Sequence, residues 1–382
     1  MEMIAIIGKR NKHQSIEPTT RRPNRTYKRR FRPLLDLGQL AEAKTVAACC
    51  FSFIFVDRKV VHILLVFSCR QSKMSTKGGP RVKLNSGHEI PLVGFGTYKI
   101  TGQETIDKAV NAALEAGYRH FDTAKYYKNE PELGNAFEKL LPKYNLKRED
   151  IYITTKLWPA AEGNSEKIPE QVQESLKNLK TDYLDLVLIH YPKSDERENE
   201  DEKNAENRRD CWLALEKEHQ KGIIRSIGVS NYEVRHMEEL PAYQTIVPAV
   251  NQVEYHPHFQ RRDIKEYCKK HGIFFQAYSS LGRQEPALVN DSVIVEIAKK
   301  YNTTVEVCIA LHLKQPHINF QQILLAFATN QSIGIVPKST TPERIRNNWK
   351  VLEVTLNEED LKRLNSIDKD QHYIRCTPWL VK

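Results

Sequence analysis

Eight short apolar runs recur along residues 92–338, and most are separated by segments with helical periodicity. The runs are LVGFG (92–96), RHFDT (119–123), IYITTK (151–156), LDLVLIH (184–190), IIRSIGVS (223–230), PAVNQVE (248–254), IFFQAYS (273–279) and SIGIVPK (332–338). Runs of this length, rich in β-branched and aromatic residues, suit strands buried on both faces. The segments QETIDKAVNAALEAG (103–117), NEPELGNAFEKLLPK (129–143) and EKIPEQVQESLKNLK (166–180) place apolar residues three and four apart, as an amphipathic helix requires. Eight strands alternating with helices over about 300 residues predict an α/β fold, a (β/α)8 TIM barrel. A doubly wound dinucleotide-binding sheet is disfavoured. Gly94 and Gly96 give G-x-G, but Lys99 stands where a third glycine belongs and no helix opens there. Before the first run, VKLNSGHEIPLV carries an Asn-Ser-Gly turn between alternating stretches, which predicts an N-terminal β-hairpin plug.

Charge marks a boundary upstream. The net charge of +10 resides entirely in residues 1–73, with 15 Lys and Arg against 5 Asp and Glu; the remainder balances at 43 of each. The barrel itself therefore exerts no global pull on nucleic acid. Residues 21–32 form a basic run, and residues 46–56 and 60–69 are apolar but interrupted. Neither reaches the roughly 20 apolar residues of a membrane helix, so no membrane partner is expected. An organelle-targeting peptide, a disordered tail and sequence outside the native protein all fit residues 1–73. Ordinary composition begins at Met74, so the reading is an extension (1–73) followed by a barrel domain (74–382).

The seven cysteines (49, 50, 69, 211, 268, 308 and 376) show neither metal-ligand spacing nor a disulfide framework, which points to a reducing, cytoplasmic setting. His256 and His258 form an H-x-H without a third ligand nearby, so no metal is expected. Four N-x-S/T sequons, at Asn24, Asn290, Asn302 and Asn330, carry no glycosylation in such a compartment. Residues 308–323 read as an insertion: they split a helical pattern between the seventh and eighth strands, and Pro316 breaks any helix running through them.

Chemistry in such barrels gathers at the C-terminal ends of the strands. Those ends carry Asp122, with Tyr126 and Tyr127 just beyond; Lys156 and Trp158; His190; Ser230 and Asn231; Gln252; Tyr278 and Ser279; and Lys338. Asp, Tyr, Lys and His at three successive ends converge on one mouth. A phenol ionises near pH 10, too high for a ready acid at neutral pH. A neighbouring ammonium lowers that value, and an Asp holds the Lys charged and in place. A His beside the phenol orients a carbonyl oxygen or shares its proton. This is general-acid equipment for reducing a carbonyl.

Here the chain resembles a known family. GYRHFDTAKYYKNE, ITTKLW (153–158), LDLVLIHYP (184–192), GVSN (228–231) and IVPKSTTPERIRNN (335–348) are similar to motifs of the aldo-keto reductase superfamily, in the same order, from about Val82 onward. The resemblance implies an NADPH-dependent oxidoreductase that reduces aldehydes and ketones to alcohols as a metal-free monomer. Its D-x-x-x-x-Y motif maps the acid to Tyr127 rather than Tyr126, with Asp122, Lys156 and His190 completing the set.

The cofactor follows from the same ends. Ser230, Asn231 and Gln252 carry the donors and acceptors that a nicotinamide carboxamide requires, and the resemblance gives them that role. It also adds Thr97 and Asp122, stacks Tyr278 on the ring, and brings Ser279, Leu281 and Gly282 to the pyrophosphate. Thr341 and Pro342 read as the N-cap and first position of a helix, a ready anion site. Lys338, Ser339, Thr340, Arg344 and Asn348 surround that terminus, and the basic donors favour the 2′-phosphate of NADP(H). Asn347 stands where the family often has Glu beside the adenine. By resemblance, Tyr98, Trp158, His190 and Tyr191 line the substrate pocket, and residues 368–382 form a C-terminal substrate loop. The substrate itself stays open among small aldehydes, dicarbonyls, sugars and prostanoids. Two alternatives use the first 73 residues: a cofactor-binding barrel acting as a channel β-subunit-like module, and nucleic-acid binding through residues 21–32.

Overall fold

The computed structural model describes residues 78–310 and 319–382. The expected extension, residues 1–73, lies outside them. Eight parallel strands run in chain order: β3 (Phe95–Gly96), β4 (His120–Asp122), β5 (Tyr152–Leu157), β6 (Leu186–Ile189), β7 (Ile227–Ser230), β8 (Val250–Glu254), β9 (Phe274–Tyr278) and β10 (Gly334–Ile335). The sheet closes on itself where Val93 pairs with Ile335 and Gly96 with Lys338, so the (β/α)8 barrel is complete. Both glycines of the G-x-G are required by close packing, Gly96 against the closing strand and Gly94 against its other neighbour. A Cβ on Gly96 would meet the Val336 carbonyl oxygen at 2.5 Å, and one on Gly94 would meet His120 Nδ1 at 2.5 Å.

The hairpin forms from β1 (Arg81–Lys83) and β2 (Glu89–Pro91), paired antiparallel. Leu84 and Ile90 pack with Tyr152, Leu186 and Val250, which begin β5, β6 and β8. The hairpin thus covers the end of the barrel opposite the site. Ser86 Oγ lies 2.8 Å from Ser226 Oγ, and Asn85 Nδ2 donates to the Pro248 carbonyl at 2.9 Å, fixing it there.

The helices ring the sheet as their periodicity predicts. In α1 (Gln103–Ala116), Ile106, Ala109, Val110 and Ala113 face inward, and Gly117 ends the helix in the left-handed conformation at φ 112°. The helices α2 (Glu130–Leu140) and α3 (Asn164–Leu179) pack closely. A Cβ on Gly134 would sit 2.2 Å from the Asn178 carbonyl oxygen. Four more helices on the outside are α4 (Lys203–Gln220), α5 (Val234–Glu239), α6 (Arg262–His271) and α7 (Pro286–Val289).

The segment expected to loop out behaves otherwise at both ends. Helix α8 runs Ser292–Ala310 and so continues through residues 308–310. Helix α9 (Phe320–Thr329) starts four residues before the expected resumption. The Asn319 side chain accepts from Gln322 N and the Gln322 side chain accepts from Asn319 N, a reciprocal cap, and Ile323 is fully buried. The competing signal was that cap, which outweighs proximity to Pro316; Pro316 itself lies outside the described residues. Helices α10 (Pro342–Trp349) and α11 (Glu358–Ser366) end the barrel. Among the described residues no helix is long and apolar enough to cross a membrane.

Candidate active site

The last residue of β4 is Asp122, and the next strand carries Lys156 one place from its end. Both are sealed from solvent. Lys156 Nζ donates to Asp122 Oδ1 at 2.7 Å, to Oδ2 at 2.8 Å and to the Thr123 carbonyl at 2.9 Å. All three ammonium hydrogens are satisfied, which is what permits a charged pair at this depth. Burial still pulls the Lys156 pKa below its ordinary value, against the opposing Asp122 carboxylate.

Tyr127 ends a single 3-10 turn (Lys125–Tyr127) that follows β4. Lys156 Nζ lies 5.2 Å from its ring centroid. His190 meets Tyr127 edge-on, with centroids 5.7 Å apart. The four residues named from sequence therefore converge. The expected electrostatics differ, however. Lys156 was expected to lower the phenol pKa; burial, then the Asp122 carboxylate, raises it well above 10. Desolvation penalises the phenolate more than the nearby ammonium favours it. Tyr127 is a fully protonated phenol at neutral pH, and its hydroxyl has no hydrogen-bond partner among the described residues.

His190 is neutral. Burial, then the charge of Lys156, holds its pKa well below 6.5. A neutral imidazole carries one donor and one acceptor. Its Nδ1 is sealed without a partner. The Trp158 ring packs edge-on against it at 5.0 Å.

The pocket walls are aromatic. Trp158 and Tyr191 stack with planes 3° apart and centroids at 5.8 Å. Tyr98 leans on Tyr127 at 5.0 Å. Sequence reasoning left Tyr126 only as the rejected acid. It is 56% exposed, stacks on Trp158 at 5.2 Å and points an edge at His190, 6.1 Å away. The C-terminal segment closes this side: Thr377 lies beside Tyr191, whose pKa is pushed up to about 12 chiefly by burial. Cys376 lies close enough for its thiol to weigh on Tyr127, Tyr191 and Tyr278. Nothing local in the sequence signals Cys376, because only tertiary packing brings residues 368–382 over the mouth.

The remaining strand ends form one connected rim. Tyr278 donates from its hydroxyl to Asn231 Oδ1 at 2.7 Å, and Asn231 Nδ2 donates to the His190 carbonyl at 2.9 Å. Ser230 Oγ donates to the Gln252 carbonyl at 2.8 Å. Gln252 Nε2 donates to Asp122 Oδ2 at 2.9 Å, which joins this rim to the acid. Thr97 Oγ1 donates to the Asp122 carbonyl at 2.9 Å. Asn231 (φ 62°) and Ser279 (φ 50°) hold left-handed backbone, uncommon outside glycine and a mark of constrained sites.

These residues suit a dinucleotide phosphate. Lys338 is exposed beyond β10, and burial of its stem and the charge of Lys99 both disfavour its ammonium. Among the described residues neither lysine forms an ion pair, so two cations stand together without an anion. Ser339 Oγ accepts from Thr341 N at 3.1 Å at the start of α10. Arg344 is exposed on that helix and Asn348 is buried; their four-residue spacing places them on one side, but at different depths. Leu281 and Gly282 follow Ser279 in the loop after β9. His256 and His258, the H-x-H, serve packing: His256 Nε2 bonds Glu254 Oε1 at 3.1 Å, and His258 bonds Tyr373 and Asp291 at 2.8 and 3.0 Å.

Comparison with known proteins agrees with this geometry. Residues 92–369 match the model of the aldo/keto reductase family. Aldo-keto reductase family 1 member A1 of Gallus gallus is 36% identical over 315 residues, covering 77% of this chain and 90% of that protein. The NADP-dependent D-sorbitol-6-phosphate dehydrogenase of Malus domestica is 34% identical over 310 residues, covering 75% and 94%. The solved structure of an aldo-keto reductase from a Medee basin deep-sea metagenome library superposes with a TM-score of 0.65 at 38% identity, covering 76% of this chain and 96% of that one.

Proposed function

This chain belongs to the aldo/keto reductase family and is an NADP-dependent oxidoreductase acting on carbonyl compounds; we propose that it reduces aldehydes and ketones to alcohols with Tyr127 as the proton donor. The observation that carries this reading is one unpartnered, proton-bearing phenol beside a fully satisfied Lys156–Asp122 pair and a neutral His190. The nicotinamide, when bound, supplies the hydride that reaches the carbonyl carbon. The chain's residues do the rest. Tyr127 gives its hydroxyl proton to the carbonyl oxygen, and the adjacent Lys156 ammonium stabilises the phenolate that remains. His190 donates a hydrogen bond that orients the same oxygen.

Ser230, Asn231 and Gln252 would hold the carboxamide, with Thr97 and Asp122 beside them, and Tyr278 would stack on the ring. Ser279 and Leu281 would approach the pyrophosphate, while Lys338, Ser339, Thr340, Arg344 and Asn348 would hold the adenosine end and its 2′-phosphate. Tyr98, Tyr126, Trp158 and Tyr191 form a flat aromatic throat, which suits a carbonyl carried on an apolar or ring-bearing body. The protein acts as a monomer on a small-molecule substrate.

Tyr127→Phe tests the acid. Turnover should fall by about 10²–10⁴ while NADPH binding is retained, and Tyr126→Phe should keep wild-type kcat. Loss of turnover in Tyr126→Phe with Tyr127→Phe active would overturn the assignment.

A further inference from the structure

Gln276 lies in β9 directly beside Gln252 of β8 in the parallel register, and both side chains are buried in the barrel. Gln252 Nε2 uses both hydrogens internally. One goes across the barrel to Asp122 Oδ2 at 2.9 Å, and the other to Gln276 Oε1 at 2.8 Å on the neighbouring strand.

The polarity of this chain is dictated from one end. Lys156 donates to both oxygens of Asp122, so the carboxylate acts only as an acceptor. The amide facing it must present its NH2, which fixes the flip of Gln252. The second hydrogen of that NH2 then needs an acceptor, which fixes the flip of Gln276. The consequence is visible at the far end: Gln276 Nε2 is sealed in the barrel without a partner. Buried unpaired donors are rare. This one follows from turning the Gln276 carbonyl toward Gln252. The Gln252 side-chain oxygen, Oε1, by contrast, receives no donor from the described residues and is not sealed off.

We propose that Gln276 is a positioning residue for the cofactor: by accepting the second amide hydrogen of Gln252, it pins that side chain with its carbonyl oxygen free to accept from the carboxamide N–H of the nicotinamide. With one hydrogen held across the barrel and one on the next strand, the Gln252 amide plane is fixed at two points. With Gln276 removed, the plane is free to swing about the single bond to Asp122. The inference rests on the assignment of Gln252 to the carboxamide made above.

The test compares two ligands on the full chain by titration calorimetry: NADP+, and adenosine 2′,5′-bisphosphate, which lacks the nicotinamide. Gln276→Met keeps length and removes the acceptor. It should weaken NADP+ by up to about tenfold, the worth of one hydrogen bond, and leave the bisphosphate unchanged. Retained bisphosphate affinity also shows that the variant is folded. Equal weakening of both ligands would mean a merely structural role, and unchanged NADP+ affinity would mean that Gln252 needs no second anchor; either result overturns the proposal. Gln252→Met, run in parallel, separates the layers. If it lowers NADP+ affinity and Gln276→Met does not, only the role of Gln276 falls. If it too leaves NADP+ unchanged, the carboxamide assignment falls and takes this inference with it.

Discussion

Asp122→Asn should unfold the barrel more easily for a reason separable from its effect on turnover. Lys156 and Asp122 are both sealed, and the ammonium makes three hydrogen bonds, two to the Asp122 carboxylate and one to the neutral Thr123 carbonyl. Asparagine keeps the shape and can still accept from Gln252. Its NH2 then replaces the oxygen at the Oδ1 position, so the ammonium loses one acceptor and its only countercharge. Breaking a buried pair by removing one partner costs about 3–5 kcal/mol, because the surviving charge is uncompensated. Unfolding entropy of about 2.1 cal/mol/K per residue over about 300 residues converts that into a fall in Tm of about 5–8 °C. Replacing Lys156 as well, as in Asp122→Asn/Lys156→Met, removes the stranded charge and should restore most of the lost Tm, since neutral replacement of a buried pair is often close to neutral. Both variants should stay catalytically impaired, because the double variant regains stability without regaining the ammonium beside Tyr127. Thermal unfolding followed by circular dichroism reads the stability, and NADPH consumption on an aldehyde reads the activity. A double variant no more stable than Asp122→Asn alone would show that the stranded charge is not what destabilises, and would refute the reasoning.

Lys338 and Arg344, both exposed at and just before the start of α10, predict cofactor choice: Lys338→Ala and Arg344→Ala should each raise KM for NADPH far more than for NADH, and equal losses on both would remove the phosphate assignment. Stability should also depend on acid in a stated direction. Burial holds the pKa of His120 at about 4 and that of His236 at about 3, below the ordinary 6.5, and keeps His190 well below 6.5. Unfolded histidines take up protons first, so these groups contribute no change above pH 6.5 and cost stability progressively as pH falls from 6.5 towards 4; a Tm that stays flat across that window would contradict their burial as neutral imidazoles.

The order of strands was legible because each parallel strand is buried on both faces and so reads as a continuous apolar run; β6, Leu186–Ile189, is the clearest case. Strand lengths were not. LVGFG reads as five residues, yet only Phe95–Gly96 pairs as a strand, since the barrel closes there through single bridges rather than a ladder. The convergence of Tyr127, Asp122, Lys156 and His190 was legible as a pattern of residue types at successive strand ends. The pKa of Tyr127 was not, because desolvation sums over the whole fold and the charges of Asp122, Tyr98 and Cys376, brought near only by folding, push it the same way. The first turn of α9 was misread for the opposite reason. Pro316 is a loud local signal, and the quieter Asn319–Gln322 cap, reading N-x-x-Q before an apolar run, sits inside the segment it was taken to dismiss.

The least legible feature was the way the strand-end rim and the Lys156 ammonium share one residue. In sequence, Asp122 has a single evident partner, the lysine of the next strand. In the barrel its two oxygens face two directions: Lys156 holds both, and Gln252, reaching from β8, takes Oδ2 as well. A contact separated by 130 residues in the chain has no periodicity and no motif, and it arises only because closure sets β4 opposite β8. It has a chemical consequence. On the proposed assignment, the amide that holds the carboxamide is the one anchored on Asp122, and among the described residues Asp122 is the only charged partner of the lysine beneath the phenol. With Gln252 in that proposed role, cofactor occupancy and the electrostatics of Tyr127 are linked through one carboxylate. By reciprocity of linkage, a variant that weakens the Asp122–Lys156 pair must also change the affinity for the nicotinamide end of the cofactor.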